Sequence, residues 1–222
     1  MILIKSLEYS YHNDGFKLKI PELSIERGEK VALIGPNGSG KTTLLNLIAG
    51  ILVPESGAVN VDNVQINELS DDSRREFRIT NIGFVFQEFQ LLDYLDVLDN
   101  ILHPFRITGA LELNSHIREN AAMLAGQMGI GDKLNRYPNN LSQGEKQRAA
   151  ICRALLPQPK VILADEATGN LDPDNKIRIL ELLFRSVENQ KATLLAVTHD
   201  YELLDKFDRV LDFSRFHKVA TE

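Results

Sequence analysis

One stretch restricts the fold of this chain more than any other: Gly35-Pro36-Asn37-Gly38-Ser39-Gly40-Lys41-Thr42. Before it, Lys30-Val31-Ala32-Leu33-Ile34 is a short apolar run, the pattern of a strand buried on both faces. After it, Leu44, Leu45, Ile48 and Ala49 fall at helical spacing from Thr42 to Ala49, and Gly50 closes the helix. Glycines let backbone amides turn inward around an anion with no Cβ in the way, and the helix that follows points its N-terminus at the same place. Lys41 stands in the first helical turn, where the macrodipole disfavours a cation unless an anion is bound there. The stretch fits G-x-x-x-x-G-K-[ST], in which the lysine reaches β/γ-phosphates and the hydroxyl, here that of Thr42, is placed to hold magnesium. The competing reading is a flexible loop with a chance lysine. A chance match is expected in about one chain per hundred of this length, and the strand–loop–helix setting lowers that further. A phosphate-binding loop in an α/β core is the expectation.

The flanking pattern extends that core. The first 35 residues read as strands: Phe16, Leu18 and Ile20 alternate with Lys17 and Lys19, and Asn13-Asp14-Gly15 before them suits a hairpin turn. Gly57 to Val61 and Ile82 to Phe86 read as further strands. From about residue 90 to 155 alternation gives way to helical spacing, as at Ile117, Ala121, Leu124 and Met128. Val161-Ile162-Leu163-Ala164, a helix near Lys176 to Ser186, and Thr193-Leu194-Leu195-Ala196-Val197 then resume the core. Strands alternating with helices predict a largely parallel sheet with a helical segment inserted.

Two further stretches bear on chemistry. Asp165-Glu166 follows a buried strand, and adjacent carboxylates repel unless a cation is near. Ligands of open α/β sheets bind beyond the carboxyl ends of the strands, so both acids are expected to face the nucleotide, Asp165 holding magnesium through water and Glu166 orienting the attacking water. An acidic turn leaving the sheet is the plain alternative, and the phosphate loop counts against it. Leu141-Ser142-Gln143-Gly144-Glu145 needs no function at all: Ser142 and Glu145 make a capping box for a helix running through Arg148, Ile151 and Leu155. A capped N-terminus beside a glycine is also an anion site, so both readings stand together.

Composition narrows the class. Hydrophobic residues at 43% and charged ones at 25% exclude a mainly disordered chain. A net charge of −6 gives no electrostatic footprint for nucleic acid, and none is expected as a partner. The one cysteine, Cys152, cannot pair internally, which fits a reducing compartment, and it reads as a small buried helix residue. Met1 leads straight into Ile2-Leu3-Ile4 and Lys5 without a signal pattern, and no apolar run approaches the roughly 20 residues of a membrane helix. The chain is not expected to cross a bilayer alone.

Taken together, these residues resemble the nucleotide-binding domains of the ABC family over nearly the whole chain and in the same order. Gly35 to Thr42 resembles the Walker A motif, and Gln87, after Phe84-Val85-Phe86 and before Phe89-Gln90-Leu91-Leu92, the Q-loop. Leu141 to Glu145 resembles the ABC signature, Val161 to Asp165 Walker B, Glu166 the catalytic glutamate, Asn170-Leu171-Asp172 the D-loop and His199 the switch histidine. Tyr11 stands where the family stacks an aromatic ring on adenine. Gln143, Glu145 and Ala167 depart from the family's commoner glycine, glutamine and proline, whereas Ser142 and Gly144 keep the residues that touch phosphate. Leu91-Leu92-Asp93 through Val97-Leu98-Asp99-Asn100, with Ala164 to Asp172, resemble the subgroup serving macrolide exporters and lipoprotein-release systems.

The resemblance implies an α/β fold: a P-loop NTPase core with an N-terminal antiparallel β subdomain and an inserted helical subdomain, all within a single domain over 1–222. Residues 1–89 and 156–222 would form the RecA-like core and residues 90–155 the helical part. It implies Mg²⁺-dependent ATP hydrolysis, with Glu166, His199, Gln87 and Lys41 catalytic and Thr42, Gln87 and Asp165 around the metal. The nucleotide would touch Tyr11, Gly35, Pro36, Asn37, Gly38, Ser39, Gly40, Lys41, Thr42 and Thr43, and from a second copy or a paralogous ATPase stacked head to tail, Ser142, Gly144 and Asp172. A transmembrane permease would hold the chain at the cytoplasmic face of the membrane. The rival classes are an ATPase serving a soluble assembly, which the sequence leaves open; a DNA-maintenance ATPase, whose coiled coils or clamp domains find no heptads or room here; and a module that holds ATP without turnover, against which Glu166 and His199 stand.

Overall fold

The computed structural model describes residues 1–11, 15–167 and 173–216. Asn13-Asp14 of the expected hairpin turn and Asn170-Leu171-Asp172 lie outside the described residues. In chain order the elements are β1 (Ile2–Ser10), β2 (Lys17–Ile25), β3 (Lys30–Ile34), α1 (Lys41–Ile48), β4 (Ser56–Val61), β5 (Val64–Gln65), α2 (Asp71–Asn81), β6 (Ile82–Val85), α3 (Val97–Arg106), α4 (Ser115–Gln127), α5 (Gln143–Leu155), β7 (Val161–Asp165), α6 (Pro173–Gln190), β8 (Thr193–Val197) and β9 (Arg209–Asp212).

Two sheets result. One is antiparallel in the order β2-β1-β4-β5, and the other runs β6-β7-β8-β3-β9 with every pairing parallel. The buried runs at 31–33, 161–165 and 193–197 lie in the middle of the parallel sheet, as continuous apolar strands should. Their alternate side chains serve different cores. Val31, Leu33, Leu163, Leu195 and Val197 pack with α1 and the buried face of the antiparallel sheet, including Ile4, Ile20, Leu44 and Leu45. Ala32, Ile162, Ala164, Leu194 and Ala196 face the other way, onto an apolar cluster with Leu155, Cys152, Ile151, Ile179, Leu183 and the α3 and α4 residues Ile101, Leu102, Ala121 and Ala125. Cys152 is buried there on α5, as the sequence leads one to expect.

The segment between residues 90 and 155 supplies α3, α4 and α5, each started by a side-chain cap. Asp96 accepts from the Asp99 amide (2.8 Å), Asn114 from the Ile117 amide (3.0 Å) and Ser142 from the Glu145 amide (3.3 Å). Gly83 brings β6 hard against the end of α5: a Cβ there would lie 2.4 Å from the Ala154 carbonyl oxygen, so only glycine allows this approach. This contact fixes α5 beside the strand that leads to Gln87. Helix α2 has no counterpart in the sequence reading because it buries no residue; Ser70 caps it, and Asp71 pairs with Arg74 and Arg75 along its exposed side.

Candidate nucleotide site

Because the strands of the larger sheet are parallel, their carboxyl ends share one edge. The 35–40 loop leaves β3 there, Gln87 follows β6, Asp165-Glu166 end β7, and His199 follows β8. The neighbour order β6-β7-β8-β3 places these four segments side by side. They surround a cavity of about 570 Å³ lined by Tyr11, Phe16, Lys41, Thr42, Thr43, Gln87, Glu166 and His199, with Asn37, Gly38 and Gly40 as its floor.

The loop turns through left-handed glycines at Gly38 (φ 75°) and at Gly40 (φ 97°), the N-cap of α1. A Cβ on Gly40 would stand 2.7 Å from Cζ of Phe16, so both backbone and space require glycine. The Lys41 ammonium donates to the carbonyls of Gly35 (2.8 Å) and Pro36 (2.9 Å), which draws it along the inside of the loop. Burial lowers its pKa, while the charges of Glu166 and Asp165 act to raise it. Ser39 Oγ is buried in the loop without a hydrogen-bond partner. An orphaned hydroxyl, a buried cation and inward-turned glycine backbone make a cradle whose unmet hydrogen bonds suit phosphate oxygens.

Asp165 is 7% exposed at the end of β7. Burial pushes its carboxyl above the usual range; a hydrogen bond with the Thr42 side chain pulls it back, and the Glu166 charge raises it again. A hydroxyl and a carboxylate in contact at the phosphate loop fit Mg²⁺, which is held by one or two carboxylates together with substrate phosphates and water rather than by an all-protein cage.

Glu166 takes a left-handed backbone (φ 46°), and its N–H donates to the Val197 carbonyl at the end of β8 (3.1 Å). This turn aims the carboxylate into the cavity. Oε2 accepts from the Gln87 side-chain amide (3.2 Å), and Oε1 lies 3.1 Å from His199 Nε2. Tyr11 also lines the cavity, 38% exposed, its hydroxyl 3.3 Å from Thr43 Oγ1 and its ring propped by Tyr9 and Phe16 at centroid separations of 5.0 and 5.7 Å. Phe16 is the lining residue that sequence reasoning missed: its apolar alternation with Leu18 and Ile20 reads as core, and only the Gly40 approach reveals its place. Ser142 and Gly144 are elsewhere, at the start of α5, where both halves of the capping box form: Glu145 accepts from the Ser142 amide at 2.8 Å. Asp172 lies outside the described residues.

A second concavity, about 250 Å³ and mostly apolar, is lined by Ile51, Phe84, Phe86, Pro104, Ile107 and Ala154 together with His103, Gln90 and Arg153.

The ABC transporter family model matches residues 18–169. The chain belongs to the ABC transporter family. This ABC ATPase is similar to the lipoprotein-releasing system ATP-binding protein LolD of Hyphomonas neptunium, with 38% identity over 208 residues covering 92% of this chain and 90% of the relative. It is also similar to the macrolide export ATP-binding/permease protein MacB of Rhodopirellula baltica, with 42% identity over 194 residues, 87% of this chain but 28% of that longer protein. The subgroup suggested by Leu91 to Asn100 is therefore the right one. Among solved structures, the ATP-binding cassette MJ0796, a dimer in a post-hydrolysis state bound to ADP and Pi, superposes with a TM-score of 0.87 at 34% identity, covering 96% of this chain and 94% of that one. The α/β cassette fold and the ATPase activity of the family follow for this chain. Among its described residues, no helix is long and apolar enough to cross a membrane.

Proposed function

We propose that this ABC ATPase drives a transporter through ATP-dependent closure of two nucleotide-binding domains and reopening after hydrolysis, coupled to a separate transmembrane permease at the cytoplasmic face. The observation that carries the reading is the Glu166 carboxylate, set between Gln87 and His199 at the mouth of the phosphate loop. The 35–40 amides and Lys41 bind the phosphates, Thr43 and Tyr11 bound the rest of the nucleotide, and Tyr11 offers the base a ring face. Thr42 and Asp165, with Gln87, would hold Mg²⁺, which when bound neutralises charge on the phosphate oxygens. Glu166 takes a proton from the attacking water as its oxygen bonds to the γ-phosphorus and the bond to the β–γ bridging oxygen breaks, leaving ADP and phosphate. His199 keeps the Glu166 carboxylate in line. Phosphoryl transfer depends on positioning and electrostatics, which suits a site completed only when Ser142 and Gly144 of a second copy, or of a paralogous ATPase, close on the γ-phosphate.

In this reading residues 1–222 form one domain, and the 90–155 helices with the loop after Gln87 make the surface that meets the permease. On this reading the permease would meet the apolar groove lined by Ile107, Pro104 and Gln90. Its test uses the chain's own cysteine economy: Cys152 is buried, and burial raises its thiol pKa well above the ordinary range, so a cysteine at Ile107, itself 56% exposed, is the reactive one. Ile107→Cys carrying a short cross-linker in cells is expected to capture a multi-span membrane protein. Capture of soluble protein alone would move the chain to a soluble assembly.

A further inference from the structure

The loop after Gln87 has an uncommon backbone. Phe89 and Gln90, neither of them glycine, both lie in the left-handed region, at φ 57° and 51°, where L side chains meet a steric cost. Within the turn, Phe89 N–H donates to the Phe86 carbonyl at 3.2 Å and Gln90 N–H to the Glu88 carbonyl at 2.5 Å. Support also comes from a helix distant in sequence. Arg153, near the end of α5, donates from Nη2 to the Phe89 carbonyl at 2.6 Å and from Nη1 to the Gln90 carbonyl. One planar fork therefore takes both carbonyls of the strained pair, a geometry that suits guanidinium better than ammonium. Burial brings the guanidinium down to about 10, so it remains cationic at neutral pH. Further along, the fully buried Asn100 of α3 donates to the carbonyls of Leu92 (3.1 Å), Leu95 (3.0 Å) and Asp96 (2.9 Å) and accepts from the Leu92 amide (2.8 Å). Side chains of two helices thus grip the segment whose other end sets Gln87 on Glu166.

We propose that Arg153 is a positioning residue for ATP hydrolysis: by gripping the Phe89 and Gln90 carbonyls it fixes the turn that holds Gln87 against Glu166. The inference rests on the reading of Gln87 and Glu166 as part of the hydrolytic machinery. It gives α5 two functions at its two ends, since its first turn carries Ser142 and Gly144. Arg153 and Gln90 also share the wall of the apolar groove, so a partner filling that groove bears directly on the grip.

The test is steady-state ATP hydrolysis by the full chain, its R153K and Q87A variants and the double variant, each measured well below its unfolding midpoint. R153K keeps the charge and loses the fork. It is expected to lower kcat by about 10- to 100-fold, the scale of a misplacement near the chemistry, with the ATP KM unchanged and the variant fully folded at the assay temperature. In the Q87A background the same change is expected to cost nothing further, because the residue it acts through is gone. Where lysine prevents folding, R153Q carries the same cycle. Additive losses, a parental kcat in R153K beside a slow Q87A, or a loss that tracks a lowered unfolding midpoint would each overturn the inference alone. Parental turnover in Q87A would overturn the reading of Gln87 and the inference with it.

Discussion

Glu166→Gln is the change that most directly isolates the chemistry. Glutamine keeps the length and shape of the side chain and removes its charge. In place, its carbonyl oxygen can still accept from the Gln87 side-chain amide, now at 3.2 Å, so that contact of the parent carboxylate is kept. The opposite orientation would set two amide donors against each other, which favours a pose close to that of the parent. Fold and cavity should therefore survive, with an unfolding midpoint near the parent's. General-base assistance contributes about 10²–10⁴ in rate, or roughly 3–5 kcal/mol of barrier, and kcat is expected to fall by that order. ATP affinity is not expected to weaken: the Glu166 charge acts on Lys41, and its removal leaves the ammonium's field to the phosphates. Equilibrium binding of a fluorescent ATP analogue and phosphate release under saturating ATP separate the two effects. Turnover at the parent rate would show that the base is wrongly assigned, and lost turnover with lost affinity would make Glu166 a binding or structural residue.

Other expectations follow from the same geometry. Asp165→Asn should abolish Mg²⁺-dependent turnover while stabilising the fold. Burial raises the folded-state pKa of Asp165, so its favourable contribution is present below the unfolded value of about 3.9 and lost as pH rises through the folded one. The melting midpoint of the asparagine variant should exceed the parent's at pH 7, by about 2–4 °C per kcal/mol recovered, with the gap closing on acidification; an equal gap at all pH values would refute this. Gly40→Ala, with its Cβ 2.7 Å from the Phe16 ring and φ at 97°, should cost about 1–3 kcal/mol in urea unfolding and weaken ATP binding, and a neutral result would show that the loop has room. Ser142→Arg in the Glu166→Gln background should block an ATP-dependent dimer seen by light scattering; a dimer that persists would place the signature residues outside the closing interface.

What the sequence made legible, and what it hid, divides by the range of the interaction. The phosphate loop, the buried strand before it and the helix after it are local: glycine positions, an apolar run and helical spacing each leave a signal within a few residues. The same holds for the capping box of α5, where Ser142 and Glu145 carry both hydrogen bonds. Helix α2 was illegible because none of its residues is fully buried and Phe77 alone packs partly against the core, so its information lies in the Ser70 cap and charge pairs rather than in apolar period. Strands β5 and β9, two and four residues long with no fully buried side chain, are too short for alternation to stand out in the sequence. Phe16 has the right residue type for the core and a different use, and Arg153 sits in an amphipathic helix as an ordinary charge until its partners at Phe89 and Gln90, 64 and 63 residues away, are known.

Sheet order is the step that turns separate motifs into a site. Four segments meet at the carboxyl edge of the parallel sheet, and their sequence shows only their order along the chain, in which the phosphate loop comes first and His199 last. In space the order is β6, β7, β8, β3, so Gln87, Glu166 and His199 stand on three adjacent strand ends with the phosphate loop on the fourth. Parallel pairing puts all four ends on one edge, and the left-handed turn at Glu166, pinned to Val197, reaches across from one strand to the next. A shift of one strand would separate Glu166 from either Gln87 or His199 by the width of a strand, about 4.8 Å, beyond any hydrogen bond. The pairing of β7 with both β6 and β8, held by wholly buried apolar strands at the centre of the sheet, is therefore what keeps the proposed base in contact with both of its partners.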